Sequence, residues 1–307
     1  MKKILSFVLV LALMLGMCCS CASPERKNDK ILLVTSFYPI YIFTLNLVDG
    51  VAEFEVECMA EQNTGCLHDY QLLSRDARLI ADADAFVING AGMESFLEDV
   101  YSSNENLRLI DSSKGIELIE ECSEHHNEEE KDEHHEHSHT VNSHIWVSPE
   151  NAKLQVKNIS DELVEIYPQY KERIEKNRDS YINRLDKLSD ELKSAFKDIG
   201  GKNIITFHES YEYLAKEYSL NIVATVESHD GEEPSARELA ELVDLINEKD
   251  VVALFTEPLY KGTVADILSN ETGIKVYQLN PVLQGEKSFT AYEDIMRENM
   301  SVLKAVK

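Results

Sequence analysis

The sequence predicts an α/β fold made of two parallel-sheet (β/α)4 domains that are joined by one long rigid helix. In both halves of the chain, short apolar runs of strand type alternate with segments of helical periodicity, which is typical of parallel sheets with crossover helices. One amphipathic segment of about eight turns lies between the halves. The 307 residues are enough for two medium-sized domains, each with a hydrophobic core.

The N-terminus carries the pattern of an export signal. Positive charge precedes an apolar run that is too short to span a membrane comfortably, so residues 1–20 predict a signal peptide rather than an anchor helix. A cluster of cysteines follows, as in the signals of bacterial lipoproteins, which are cleaved just before a cysteine that then carries lipid. We expect lipidation at Cys21, with Cys18 as the alternative. Residues 21–29 are polar and predict a tether.

An N-terminal α/β domain is predicted for residues 30–166. Its strands are expected at residues 31–35, 54–59, 85–89 and 107–111. Its helices are expected at residues 40–47, 72–82, 93–101 and 152–163. Because strands and helices alternate, the strands should form one parallel sheet.

A linking helix is predicted for residues 167–199. Pro168 suits its first turn, apolar residues recur at helical spacing, and two glycines follow its end. A C-terminal α/β domain is predicted for residues 200–307. Its strands are expected at residues 203–207, 221–226, 251–255 and 275–279, and its helices at residues 211–218, 236–249, 263–272 and 291–305. No sequence repeat relates the two domains, so the repetition is architectural.

Composition limits the classes of partner. The formal net charge of −26 argues against nucleic acid, because binding to phosphates needs basic patches, and it favours attraction of cations. Export makes disulfides possible. Cys58 and Cys66 are close enough in sequence to pair, although spacing alone does not establish a disulfide.

A dense run of histidines interrupts the N-terminal domain, and such a tract is typical of metal binding. Six histidines stand in an acidic loop predicted for residues 120–143, namely His125, His126, His134, His135, His137 and His139. Two interpretations stay open: the loop gathers metal ions and passes them on, or it is a solvated acidic loop with incidental affinity. The H-E-x-x-H pattern from His135 to His139 lacks the apolar helix that a metalloprotease site needs.

Three other histidines occur where ligands bind in parallel α/β proteins. His68 follows the second predicted strand, His144 the fourth and His208 the fifth. Ligands of such proteins bind outside the carboxyl ends of the strands. If the two domains face each other across a cleft, these histidines converge and predict a metal site in the interdomain cleft. His229 is expected in a solvent-exposed loop.

Short motifs with a fixed order run along the chain after the signal. They are T-S-F-Y-P-I-Y at residues 35–41, H-D-Y at 68–70, A-F-V-I-N-G-A-G-M-E-S-F-L at 85–97, H-I-W-V-S-P-E-N-A at 144–152, F-H-E at 207–209, Y-L-A at 213–215, E-P-S at 233–235, F-T-E-P at 255–258 and T-G-I-K-V at 272–276. Together they resemble the metal-binding (zinc/manganese) solute-binding lipoproteins of ABC importers. No single motif is specific, but the set is, and it covers nearly all of the mature chain.

The resemblance implies that His68, His144 and His208 are metal ligands. Zinc binders that are similar to this chain place histidine at the third position, whereas manganese binders commonly place glutamate there. Three neutral imidazoles also suit zinc better than manganese, which prefers oxygen ligands. The chain therefore looks like the zinc-type subgroup, with manganese or iron binding of the same type as the alternative.

The fourth ligand position departs from the family pattern. The family often has Asp-Pro after the last strand, and here the pair is Asn280-Pro281. An amide oxygen is neutral and a weaker ligand than a carboxylate. Asn280 would therefore bind the metal weakly or hold a bound water, water would fill the position, or Cys66 or Glu209 would substitute.

The resemblance implies an extracytoplasmic solute-binding protein that is held at the cell membrane by its lipid. Such a protein captures Zn2+ as cargo and delivers it to the permease and ATPase of an ABC importer. We expect a monomer without enzymatic activity. A surface adhesin is one alternative, and nothing in the sequence supports or excludes it. A zinc hydrolase is another; Glu209 could be its general base, but no further catalytic constellation accompanies it.

Overall fold

The computed structural model describes residues 30–60, 65, 67, 70–97, 100, 104, 107–120, 141–197, 199–226, 234–260 and 262–306. The predicted signal peptide and tether, with Cys18 and Cys21, lie outside the described residues. Ile31–Lys307 forms one compact unit. No helix in the described part of the chain is both long and apolar enough to cross a membrane. The division into domains at residues 166 and 199 stays a prediction.

The first sheet confirms the predicted parallel architecture. Its strands are β1 (Ile31–Thr35), β2 (Phe54–Cys58), β3 (Ala85–Ile88) and β4 (Arg108–Asp111). All pairs are parallel, and the order is β2-β1-β3-β4. The chain therefore reverses its direction of winding between β1 and β3, and Leu33 of β1 lies between Val56 and Ala85.

Three helices pack around this sheet, and each overlaps a predicted one. They are α1 (Tyr38–Leu47), α2 (Ser74–Asp82) and α3 (Pro149–Ile166). The start of α3 shows how sequence determines a boundary. The Ser148 hydroxyl accepts the Asn151 N–H at 3.2 Å, and Pro149 occupies the first helical position, where a missing N–H costs nothing.

The predicted helix at residues 93–101 is wrong over its described first turns. Residues 91–94 form a turn, and Ser95–Leu97 is a 3-10 helix. The turn includes Ala91 with a φ of +53° and Gly92 with a φ of +84°. The Glu94 carboxylate accepts the backbone N–H groups of Asn89 at 2.8 Å and Gly90 at 3.0 Å, and so folds inward against the end of β3.

The linking helix is α4 (Lys171–Phe196), preceded by the 3-10 helix Pro168–Tyr170. Its 26 residues correspond to a length of about 39 Å. The six apolar positions that predicted it are all buried: Ile174, Tyr181, Leu185, Leu188, Leu192 and Phe196. The carbonyl of Phe196, the last residue of the helix, accepts the Gly200 N–H at 2.9 Å, and the helix ends there.

The second sheet repeats the topology of the first. Its strands are β5 (Asn203–Thr206), β6 (Asn221–Thr225), β7 (Ala253–Thr256) and β8 (Val276–Gln278). The strands are parallel, and their order is β6-β5-β7-β8. The helices are α5 (Glu212–Tyr218), α6 (Ala236–Glu248), α7 (Thr263–Thr272) and α8 (Ala291–Lys304). A capping box of Ser235 and Glu238 starts α6.

One hydrophobic core extends through both halves of this unit. Side chains alternate across the second sheet, so that Ile204 and Phe255 enter the main core while Leu254 enters a separate cluster beneath α6 and α7. The main core also contains Leu33 of the first sheet and Leu185 of α4. The halves therefore share one packed interior rather than meeting at a wet interface.

Cys58 is a free thiol. Its Sγ lies 3.3 Å from the carbonyl oxygen of Ala60, and burial raises the pKa of the thiol to about 11. Cys58 therefore does not form the disulfide with Cys66 that the sequence left open. Cys66 itself lies outside the described residues. A buried thiol of this kind is chemically inert at neutral pH.

Candidate metal centre

The candidate site lies where both sheets reverse their winding. Ligands of open α/β sheets bind at the carboxyl ends of strands beside such a reversal. In the first sheet Asn89 directly follows β3, and in the second sheet His208 lies two residues beyond β5 while Glu257 directly follows β7. The repeated strand order therefore brings polar side chains to corresponding positions in the two halves.

His144 is completely buried at the entry to the 3-10 helix Ile145–Val147. Its Nδ1 lies 3.0 Å from Oδ1 of Asn142, which also accepts the His144 backbone N–H at 2.9 Å. The preceding residue is held by the first sheet, because Nδ2 of Asn89 donates to the Ser143 carbonyl at 2.9 Å. Hydrogen bonds therefore hold both the Nδ1 atom of His144 and the backbone of the residue before it.

His208 is held by a different kind of acceptor. Its Nδ1 lies 3.2 Å from Oε1 of Glu257 and also contacts the hydroxyl of Ser210. That hydroxyl donates to the same carboxylate oxygen at 2.8 Å. The side chain of His208 is 20% exposed, so it lies at the edge of the buried region.

The two imidazoles meet at right angles. Their ring centroids are 4.8 Å apart and the planes make an angle of 88°. In each ring an acceptor lies against Nδ1, so the neutral tautomer that donates to it carries its lone pair on Nε2, which is the usual arrangement of a metal-binding histidine. Glu209 completes a group whose ligand atoms lie within 4.8 Å of one another. Its Oε1 is 3.9 Å from Nδ1 of His144.

Trp146 forms the floor beneath the histidines. Its ring centroid lies 5.2 Å from that of His144, and the indole is completely buried. The indole Nε1 of Trp146 donates to the carbonyl of Pro281 at 2.7 Å, and the backbone carbonyl of Trp146 accepts the Tyr292 hydroxyl at 2.8 Å. The indole thus connects the His144 segment of the first half to two segments of the second half.

Asn280 closes a turn beside the site. Its Oδ1 accepts the Val282 N–H at 2.9 Å, and its Nδ2 donates to the Gln284 carbonyl at 3.1 Å. With Glu257 and Gly65 it lines a cavity of about 20 Å³, which is large enough for one water molecule. The amide is therefore already engaged by the backbone, and only the second lone pair of Oδ1 is available to a metal or water.

Several predicted site residues lie outside the described residues. These are His68, Cys66, His229 and the histidines of the acidic run, His125, His126, His134, His135, His137 and His139. The residues that flank His68 are partly described: Gly65 lines the cavity beside Asn280, and Leu67 is buried in the main core. Gly65 therefore lies beside Asn280, and Leu67 is anchored in the core.

The residues that hold the histidines were not predicted. Asn142 stands two positions before His144, and Glu257 is the third residue of the F-T-E-P motif. A polar residue at the end of a buried strand is a signal that could have revealed Glu257. Asn142 gives no such signal, because its role depends on which segments of the second half meet it.

The fold consists of two similar parallel sheets and a helix that connects them, and His144 and His208 meet at the carboxyl edges of the sheets. These features define a solute-binding protein for a metal ion. The family model described as "Zinc-uptake complex component A periplasmic" (ZnuA) matches residues 33–306. The chain belongs to this family, whose name places it outside the cytoplasm as a component of an uptake complex.

Individual relatives agree with the family. The "High-affinity zinc uptake system protein ZnuA" of Bacillus subtilis is 36% identical over 289 residues, which are 92% of this chain and 89% of the relative. The crystal structure of the metal-dependent lipoprotein YcdH from Bacillus subtilis is 31% identical, with a TM-score of 0.72 over 90% of this chain and 99% of the other. Zn(II)-bound AdcA from Streptococcus pneumoniae is 28% identical, with a TM-score of 0.74, and the match covers 90% of this chain but 57% of AdcA.

Proposed function

We propose that this protein captures Zn2+ outside the cytoplasm and delivers it to the permease and ATPase of an ABC importer. The observation that carries the proposal is the convergence of two histidines, each from a different half, one completely buried and one 20% exposed, with both Nδ1 atoms turned towards acceptors. Imidazole nitrogens oriented in this way suit zinc, and the chain belongs to a zinc-uptake family.

His68, His144 and His208 are the proposed ligands. The geometry of His144 and His208 supports their part of the assignment. His68 is supported by its neighbours Gly65 and Leu67, which lie at the cleft and in the core. Three neutral imidazoles favour zinc over manganese or iron, which the same fold could otherwise carry.

For the fourth position, Glu209 is the alternative that the described residues bring near the two histidines. Asn280 is proposed to act through a water, because its amide already closes the turn to Gln284. Cys66 has no comparable support. A carboxylate in the group would lower the net charge of the loaded site from about +2 to about +1, which favours binding.

The protein acts by binding and not by catalysis in this proposal. Release to the importer follows from contact with the permease, and the protein is a monomer that is lipid-anchored at the outer face of the cell membrane through Cys21, or through Cys18. Replacing Cys21 by Ala should release the protein into the medium and abolish incorporation of labelled fatty acid. If Cys21→Ala remains anchored and Cys18→Ala does not, Cys18 is the anchor.

The acidic histidine run is proposed as an auxiliary element that gathers zinc. A Zn(II)-bound deletion mutant of ZnuA is among the similar structures, at 25% identity and a TM-score of 0.75. For this chain, deletion of residues 123–140 should remove weak binding and retain one tightly held zinc. Loss of the tight zinc in that deletion would mean that the run itself is the principal site.

The experiment that tests the main proposal is native mass spectrometry with metal analysis of the protein that lacks residues 123–140. We expect one zinc per chain, lost in His68→Ala, His144→Ala and His208→Ala. His229→Ala is the matched control, because it removes a histidine from a separate predicted loop. Retention of zinc at wild-type affinity in the three variants would refute the assignment of the site. Turnover of a peptide or ester that depends on His208 would favour a hydrolase instead.

A further inference from the structure

Asn142 uses every one of its polar groups. It is completely buried, and its backbone N–H donates to the carbonyl of Ile119 at 2.9 Å. Its own carbonyl accepts the hydroxyl of Tyr213 at 2.6 Å, and the same hydroxyl accepts the Ile119 N–H at 3.0 Å. Tyr213 also packs in a small apolar cluster with Ile145. The backbone of Asn142 is therefore held between the first half and α5 of the second.

The side-chain amide of Asn142 has only one orientation that satisfies its neighbours. Oδ1 faces two groups of His144, the backbone N–H and Nδ1. Nδ2 donates to the Glu209 carbonyl at 3.0 Å and to Oε2 of Glu212 at 3.1 Å. Reversing the amide would turn its NH2 towards the N–H of His144 and its oxygen towards two other oxygens. The acceptors of the second half thus keep Oδ1 directed at His144.

An acceptor at Nδ1 selects one tautomer of a neutral imidazole. Asn142 Oδ1 has no proton to give, so His144 must carry its proton on Nδ1 to form this hydrogen bond. The lone pair then lies on Nε2. Without this hydrogen bond the Nδ1–H tautomer loses the stabilisation that Asn142 provides, and the other tautomer, which presents N–H instead of a lone pair at Nε2, becomes more populated.

We propose that Asn142 is a positioning residue for metal capture, which fixes the tautomer of His144 and is itself fixed by the segment that carries His208 and Glu209. This inference rests on the proposed function. A neutral amide of the same segment, itself held by acceptors of the second half, orients His144, whereas Glu257, a carboxylate within the second half, orients His208. Metal affinity then depends on contact between the halves at Asn142 as well as on the ligands.

The test compares four variants of the full chain. Asn142→Ala removes the acceptor, and we expect a loss of about 10- to 100-fold in zinc affinity, the usual effect of deleting a partner of a metal-binding histidine. Asn142→Asp combined with Glu212→Gln restores an acceptor to His144 and a donor to position 142, and it should recover most of the affinity. Asn158→Ala and Asn177→Ala are the matched controls, because their amides donate to backbone carbonyls of other segments, and each should stay within a few-fold of wild type.

The decisive measurement is the tautomer of His144 in the metal-free protein, read from heteronuclear NMR of the imidazole nitrogens, alongside zinc affinity from chelator competition. Asn142→Ala should show a mixture of tautomers, and the double variant should show the Nδ1–H form. Wild-type affinity and tautomer in Asn142→Ala would overturn the inference. If Asn142→Ala does not fold, the double variant decides: a weak site despite the Nδ1–H tautomer would equally overturn it. Failure of His144→Ala to lose zinc would instead refute the proposed function.

Discussion

Glu257 offers the sharpest test of how the second half prepares its ligand. Its Oε1 accepts from Ser210 at 2.8 Å and lies 3.2 Å from Nδ1 of His208, and the side chain is 16% exposed. In Glu257→Gln the amide oxygen can still accept from both His208 and Ser210, which bond the same oxygen of the carboxylate. Only the charge is lost, so we expect about a tenfold weaker zinc affinity, or about 1.4 kcal/mol.

Glu257→Ala should cost more than the glutamine variant. It removes the acceptor of both His208 and Ser210, and it enlarges the cavity that Glu257 lines with Asn280. We expect about a 100-fold loss, or about 2.8 kcal/mol, at the upper end of the range for such partners. The order wild type, glutamine, alanine is therefore part of the prediction.

The assay is competition for zinc against a chromogenic chelator at neutral pH, with each variant checked for an unchanged thermal midpoint. Glu241→Gln is the matched control, because it removes the same charge from a side chain that is 60% exposed and pairs with Arg237 in α6. Equal losses in Glu241→Gln and Glu257→Gln would mean that overall charge is responsible. Wild-type affinity in Glu257→Ala would refute the reasoning altogether.

Three further predictions concern parts of the fold around the site. Burial raises the pKa of the Glu94 carboxyl to about 7, so the folded state keeps a proton that the unfolded chain loses at lower pH. The free energy of unfolding should fall by up to about 3 kcal/mol between about pH 5 and about pH 8, and urea titrations of Glu94→Gln should lack this component; parallel pH profiles would contradict it. Leu185→Ala, in the completely buried face of α4, should lower the free energy of unfolding by about 2–5 kcal/mol in the same assay, whereas the exposed Lys187→Ala should change it little. Trp146 is the one tryptophan of the chain and its ring lies 5.2 Å from that of His144, so zinc should change its fluorescence, and an unchanged response in His144→Ala would show that the signal arises elsewhere.

The fold was largely predictable because its determinants are local. Every strand of both sheets lies within two residues of its predicted bounds, and all six apolar positions of α4 are buried, since period-two and helical patterns record the buried face directly. The helix predicted at residues 93–101 failed for a tertiary reason. The side chain of Glu94 accepts backbone N–H groups at the end of β3, and residues 91–94 form a turn beside this contact.

For the site, the sequence predicts His144 and His208, which the structure brings together, but it does not predict the residues that hold them. His144 and His208 follow predicted strands, and ligands of parallel α/β sheets bind outside the carboxyl ends of strands. Asn142 and Glu257 act on those histidines through contacts between segments that are 2 and 49 residues apart in the chain. For Asn142 the partner is near in sequence, but the contacts that fix its amide come from Glu209 and Glu212, and no local pattern reports them.

The shared core links zinc binding to the cooperativity of unfolding. Arg184 of α4 donates to the buried carboxylate of Glu293 in α8 at 2.7 Å, and the same core cluster reaches both sheets, so the halves should melt in one transition. Zinc that binds only the folded form then stabilises the whole unit, by about 2.7 kcal/mol when free zinc is about 100 times the dissociation constant. Loaded and empty molecules would thus differ in their global resistance to proteolysis. Scarcity of the metal would lower the stability of the whole unit and not of the cleft alone.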